Sequence, residues 1–251
     1  MIVRNAEDKL VLQEGGKILK SILLTLQKKT KAGIATQEID AWAEAMICEA
    51  GGTPSFKNYR AWGAKSKYPA SVCVSVNDEV VHAIPSGRVI KKGDMVSIDI
   101  GMKYGGLFTD TALTFAVGDV SKKAKHLIKV TEKALLVGIK KARAGATTGD
   151  IGYVIQKYVE AEGFGVVREL VGHGVGLKVH EEPDIPNWGN PGTGILIEEG
   201  MVLALEPMVT EGSPDVKIDA DGWTWRTRDG KLSAHFEHTI LVTKKDAKIL
   251  T

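Results

Sequence analysis

Asp99, Asp110, His173, Glu206 and Glu237 follow one another along a 251-residue chain at spacings of 11, 63, 33 and 31 residues. Four carboxylates and one imidazole make an oxygen-rich donor set that can hold two divalent ions side by side. Ions about 3.5–4 Å apart can activate a water for attack on an amide. The local contexts are Ser97-Ile98-Asp99-Ile100-Gly101, Phe108-Thr109-Asp110-Thr111, Gly172-His173-Gly174-Val175-Gly176, Leu205-Glu206-Pro207-Met208 and Phe236-Glu237-His238-Thr239. A lone strand aspartate is ordinarily a solvated hairpin residue. An unpaired carboxylate among apolar and β-branched neighbours is costly, and four such sites in one chain point to a shared counter-charge. His173 lies among glycines, which let backbone approach a ligand closely. Two more histidines flank the set, His82 in Val81-His82-Ala83-Ile84-Pro85 and His180 in Val179-His180-Glu181-Glu182-Pro183.

These residues need elements to carry them. Asn5 reads as the N-cap of a first helix whose apolar positions, Leu12 to Leu26, run to about Lys29. Thr36 reads as the N-cap of a second helix running toward Glu49, closed by Gly51-Gly52. Pro54 to Pro69 has loop chemistry, and Ser71 to Val76 alternates as a half-buried strand. Lys92-Gly93-Asp94 is a turn. Met95–Met102 and Leu107–Val117 then form a hairpin about Gly105-Gly106. Val96, Ile98 and Ile100 share one face of its first strand, so Asp99 points to the other, and Asp110 on the returning strand can meet it there. Helices over Ser121–Ala142 and Thr148–Glu162 follow, then short strands. The second half thus repeats the order of the first, two helices and then antiparallel strands, and a single domain over residues 1–251 is expected.

Composition narrows the class. The chain is 43% hydrophobic and 25% charged with a net charge of +2, ordinary for a globular protein and too little to argue for nucleic acid. Two cysteines, Cys48 and Cys73, make no disulfide framework and suggest a reducing compartment. The first thirty residues carry too many charges for a signal peptide, and no apolar run spans a bilayer, so a cytoplasmic enzyme is expected.

The ordered motifs resemble the type I methionine aminopeptidases over nearly the whole chain. The resemblance implies an α+β pita-bread fold, in which duplicated helices back a curved antiparallel sheet. It implies two divalent ions, with cobalt, manganese and iron(II) as candidates. Asp99 would bind one ion with both oxygens, Asp110 and Glu237 would bridge, and His173 would be the only nitrogen ligand. Glu206 would bind one ion and shuttle the proton of the attacking water. His180 would hold the substrate carbonyl and stabilise its oxyanion, and His82 would contact the peptide near the scissile nitrogen. Tyr68, Cys73, Trp223 and His82 would line a methionine pocket. The implied reaction removes the N-terminal methionine of nascent polypeptides whose second residue is small. A monomer is expected, and no motif signals a ribosome contact. His126 and His235 match no role in this scheme, and His238 should face away from the ions.

Two departures from the family pattern stand out. The stretch Asn58 to Pro69 is several residues longer than usual and carries Arg60, Trp62, Lys65 and Lys67. Val179 stands where phenylalanine is usual before the second histidine, which would widen the site. Two other readings remain open: a proline-directed or creatinase-like enzyme on the same fold, and a peptide-binding module that has lost catalysis. Against the first, only about two helices and a loop precede Asp99. The interval from His173 to Glu206 leaves no room for the extra helical subdomain of the type II enzymes, and no Cys/His-rich zinc module is expected.

Overall fold

The computed structural model describes residues 1–60 and 66–251. Helix α1, Ala6–Lys29, opens at Asn5, whose side chain accepts from the Asp8 N–H at 2.8 Å. Its buried positions include Leu12, Leu19, Ile22, Leu23 and Leu26, one face at helical spacing. Helix α2, Thr36–Glu49, begins one residue earlier than expected. Ala35 is the cap, and Glu38 reaches back to accept from its N–H at 2.8 Å. The Thr36 hydroxyl is spent on Ser86, accepting from its N–H at 2.8 Å. A tertiary partner has displaced the local capping role. Helices α3, Lys122–Lys141, and α4, Thr148–Ala161, open at Ser121 and Thr147, whose hydroxyls accept from Ala124 and Asp150 N–H groups.

The hairpin forms as expected. Strand Met95–Tyr104 pairs with Leu107–Ala116 in a register that sets Tyr104 against Leu107. Gly105 and Gly106 have φ of 55° and 90°, the left-handed pair a tight two-residue turn needs. Strand Val72–Val76 is buried along its whole length, not half-buried. Val72, Val74 and Val76 pack under α1 and α2, while Cys73 joins a separate cluster on the other face. Both faces are covered, so the alternation in sequence did not mark a solvent side.

These strands belong to a nine-stranded antiparallel sheet. Its central order is Met95–Tyr104, Leu107–Ala116, Glu237–Val242, Val202–Leu205 and Gly172–Gly174. Helices α1 and α2 cover the half built on Val96, Ile98 and Ile100. Helices α3 and α4 cover the half built on Leu203, Leu205 and Ile240. This is the expected duplicated α+β form. Each helix pair buries the apolar face of its strands, which leaves the opposite, concave face free to carry polar side chains.

Candidate active site

Four of the five metal-ligand-type residues lie on strands of that sheet and Glu206 at the end of another, in the spatial order Asp99, Asp110, Glu237, Glu206, His173. Asp99 lies opposite Ala112 in the hairpin, and Ala112 in turn pairs with Glu237. Glu206 directly follows strand Val202–Leu205, where Ala204 pairs with His173. The seam between the two halves is clasped by threonines. The Thr239 hydroxyl accepts from the Asp110 N–H and donates to the Asp110 carbonyl, both at 2.8 Å. The Thr111 hydroxyl donates to the Glu237 carbonyl at 2.8 Å. Asp110, His173 and Glu237 offer donor atoms within 4.8 Å of one another. Glu206 Oε1 stands 3.5 Å from His173 Nε2, and Asp99 and Asp110 line the same cavity.

Four carboxylates this close, three of them buried and Glu206 nearly so, repel one another. Burial, then the neighbouring charge of Asp110, holds Asp99 well above the usual carboxylate range. Glu206 and Glu237 are raised in the same way, by burial first and then by Asp110 and Asp99 among their neighbours. Asp110 is pushed up to about 7 by burial. Asp99 Oδ1 and Glu237 Oε1 are buried without a hydrogen-bond partner among the described residues. Orphaned oxygens in a cluster of formal charge −4 need a cation, and this donor set suits divalent ions. His173 is prepared for the same purpose. Its Nδ1 lies 2.9 Å from the Gly174 carbonyl, which can only accept, so Nδ1 carries the hydrogen and Nε2 presents its lone pair to the carboxylates. Burial lowers its pKa to about 4, so the ring is neutral at ordinary pH.

The cluster forms the floor of a cavity of about 1010 Å³, into which His82, His180, Tyr68, Cys73 and Trp223 also project. The His180 ring meets His173 edge-on with centroids 4.4 Å apart and packs on Tyr59 at 4.8 Å. Burial lowers its pKa to about 2. His82 has a φ of 59°, a left-handed conformation that is uncommon outside glycine and frequent at functional positions. Burial lowers its pKa to about 4. Tyr68, Cys73, Val179 and Trp223 pack in one apolar cluster with Phe56 and Ala70. Tyr68 and Trp223 face the cavity in a T-shaped contact at 5.3 Å, while Val179 sits in the cluster behind the lining. The Tyr68 hydroxyl is occupied by the Val72 and Ala83 carbonyls at 3.1 and 3.0 Å, so the ring presents an apolar surface. Burial pushes the Cys73 thiol up, which makes it a wall and not a nucleophile.

The long stretch before Tyr68 is pinched at its base, with Asn58 N–H donating to the Tyr68 carbonyl and Tyr68 N–H to that of Tyr59. Arg60 and Lys67 are exposed, and Trp62 and Lys65 lie outside the described residues. Trp223 rides on a hairpin, Val216–Ile218 with Trp225–Thr227, that Arg226 pins to Asp78, Glu79 and Asp219. His238 faces away from the cluster, toward Thr251 at 3.2 Å. His235 does not. It is buried with Nε2 3.3 Å from Glu206, at the end of strand Ser233–His235, which pairs with Met208–Thr210 in a separate three-stranded sheet, so no local pattern in the sequence marks it.

Comparison with known proteins agrees with this geometry. The chain is 47% identical to a methionine aminopeptidase of Clostridium perfringens, over all of this chain and 98% of that one. It is similar to the crystal structure of methionine aminopeptidase from Thermotoga maritima, with a TM-score of 0.95 and 42% identity over 100% and 99% of the two chains. An X-Pro aminopeptidase of Thermotoga maritima shares the fold alone, at 21% identity, a TM-score of 0.77 and 62% of its own length. The model of Metallopeptidase family M24 matches residues 11–244, a span that contains every residue of the acidic floor and both flanking histidines. The chain therefore belongs to metallopeptidase family M24.

Proposed function

We propose that this chain is a methionine aminopeptidase, a metal-dependent exopeptidase that removes the N-terminal methionine of nascent polypeptides with a small second residue. The observation that carries the reading is the convergence of five ligand-type side chains on the floor of a cavity whose other wall is apolar and aromatic. Asp99, Asp110, His173, Glu206 and Glu237 would hold two divalent ions, with manganese, iron(II) and cobalt as the candidates. Bound there, such ions supply Lewis acidity and a water acidified toward neutral pH.

The remaining work falls to the chain's own groups. Glu206 takes the proton of the attacking water on a carboxylate oxygen and returns it to the departing amine. His180, neutral, donates its N–H to the carbonyl oxygen of the first residue and stabilises the oxyanion that forms there. His82, held by its left-handed backbone, contacts the peptide near the scissile nitrogen. Tyr68, Cys73 and Trp223, with His82, enclose the thioether, for which sulfur and aromatic surfaces are well matched. Val179 backs that wall and sets its depth.

The same reading takes residues 1–251 as one catalytic domain, acting as a cytoplasmic monomer on chains leaving the ribosome. No helix among the described residues is long and apolar enough to cross a membrane. The test is methionine release from Met-Ala-Ser after chelation and re-addition of manganese, cobalt or iron(II), beside Met-Lys-Ser and Ala-Pro-Ala. Metal-dependent release from Met-Ala-Ser alone is expected. Cleavage of Ala-Pro-Ala instead would assign the chain to a proline-directed activity.

A further inference from the structure

Glu206 lies between two imidazoles, and only one of them belongs to the ligand set. His173 Nε2 stands 3.5 Å from Glu206 Oε1, and His235 Nε2 stands 3.3 Å from Glu206 Oε2. His235 is 1% exposed, and neither of its ring nitrogens meets an aligned hydrogen-bond partner among the described residues. Its place is fixed by its backbone. The Thr114 hydroxyl donates to the His235 carbonyl at 2.7 Å and accepts from the His235 N–H at 2.8 Å. That leaves the Ser97 hydroxyl, 2.7 Å away, as the donor to Thr114. His235 also pairs with Met208, two residues beyond Glu206. The backbone anchor holds the ring beside the carboxylate, and small turns about the broad terminal torsions of either side chain align the contact.

We infer that His235 is a positioning residue for Glu206. Its Nε2–H donates to Oε2 and thereby reserves Oε1, the oxygen beside His173, for metal and proton. A carboxylate held this way loses the freedom to rotate and exchange its two oxygens. Partners of this kind behind a metal ligand contribute 10–100-fold to metal affinity or activity. The inference rests on the proposed metal-dependent reading of the site.

Glutamine and methionine at position 235 separate the hydrogen bond from packing, since their lengths are similar and only glutamine carries an N–H. Calorimetric titration of manganese into chelator-treated protein is expected to find H235Q close to the wild type and H235M weaker by about 10–100-fold. Equal affinity in the two variants, whether high or low, would overturn the inference. A second measurement needs no folded variant. Long-range nitrogen–proton spectra of the histidine-labelled wild type, loaded with diamagnetic zinc so that Glu206 is ionised, should show the proton of His235 on Nε2, and an Nδ1–H tautomer would overturn the inference as well. Both readouts concern binding and proton position, not turnover. Failure of methionine release with these results intact would therefore remove the proposed activity and leave the role of His235 standing.

Discussion

Replacing His180 with alanine should separate catalysis from metal binding. The His180 ring packs edge-on against His173 at 4.4 Å, but it is not among the residues whose donor atoms cluster on the floor, Asp110, His173 and Glu237. Its removal leaves that donor set untouched. In the proposed mechanism, what is lost is one hydrogen-bond donor at the position where charge develops on the carbonyl oxygen. Deleting one such donor costs about 10²–10³ in kcat, or about 2.7–4 kcal/mol of transition-state stabilisation. Because the substrate carbonyl is a weaker acceptor than the oxyanion, the loss should fall on kcat far more than on KM. The contact with Tyr59 at 4.8 Å also disappears, at a cost to folding of about 1 kcal/mol. The assay is methionine release from Met-Ala-Ser together with bound metal counted by elemental analysis. Asparagine at position 180 keeps an N–H and should recover part of the rate. Unaltered turnover in H180A with metals bound would remove His180 from the mechanism, and loss of metal in parallel with activity would make it part of the ion site.

Further outcomes follow from the same geometry. Asp110 is pushed up to about 7 by burial. Its folded pKa therefore lies above the unfolded value of about 4, and metal-free stability from this group is full at low pH and lost as pH rises through about 7. D110N abolishes that penalty, so the thermal midpoint of the metal-free variant should gain on the wild type as pH climbs from 4 to 8, while its metal affinity collapses. A gap independent of pH would refute the assignment. Val179→Phe adds volume inside the cluster of Phe56, Tyr68, Cys73 and Trp223, and overpacking there costs about 1–3 kcal/mol. It should narrow the pocket, so unchanged relative rates on Met-, Leu- and norleucine-leading peptides would show that position 179 does not set its width. Arg226→Met leaves Asp78, Glu79 and Asp219 without their shared partner, which should destabilise the protein by about 1–3 kcal/mol, since the group is part-exposed. KM should rise as the Trp223 hairpin loosens, and an unchanged KM would show that the hairpin is held by its apolar contacts alone.

Much of this molecule is decided locally, and that part was readable from the chain. Asn5, Ser121 and the two glycines at 105 and 106 act on backbone within a few residues, so the helix starts and the hairpin were legible without a fold. Alternation placed Asp99 opposite Val96, Ile98 and Ile100 for the same reason. That the five ligand-type residues would gather in one site was also legible, because carboxylates in apolar strings are costly alone and their order resembles a known pattern. Thr36 shows where that reasoning stops: its hydroxyl was claimed by Ser86, distant in sequence, and the cap moved to Ala35. Strand Val72–Val76 shows it again, since alternation cannot tell solvent from a second buried face. Only the tertiary structure set the Asp110 strand beside the Glu237 strand, clasped by Thr111 and Thr239, and so gathered the charges whose mutual repulsion asks for cations. It also moved His235 from a bystander to the carboxylate of Glu206. Contacts between residues far apart in sequence depend on which strands lie side by side, and that choice is made by the burial of whole helix and sheet faces, not by any short stretch of residues.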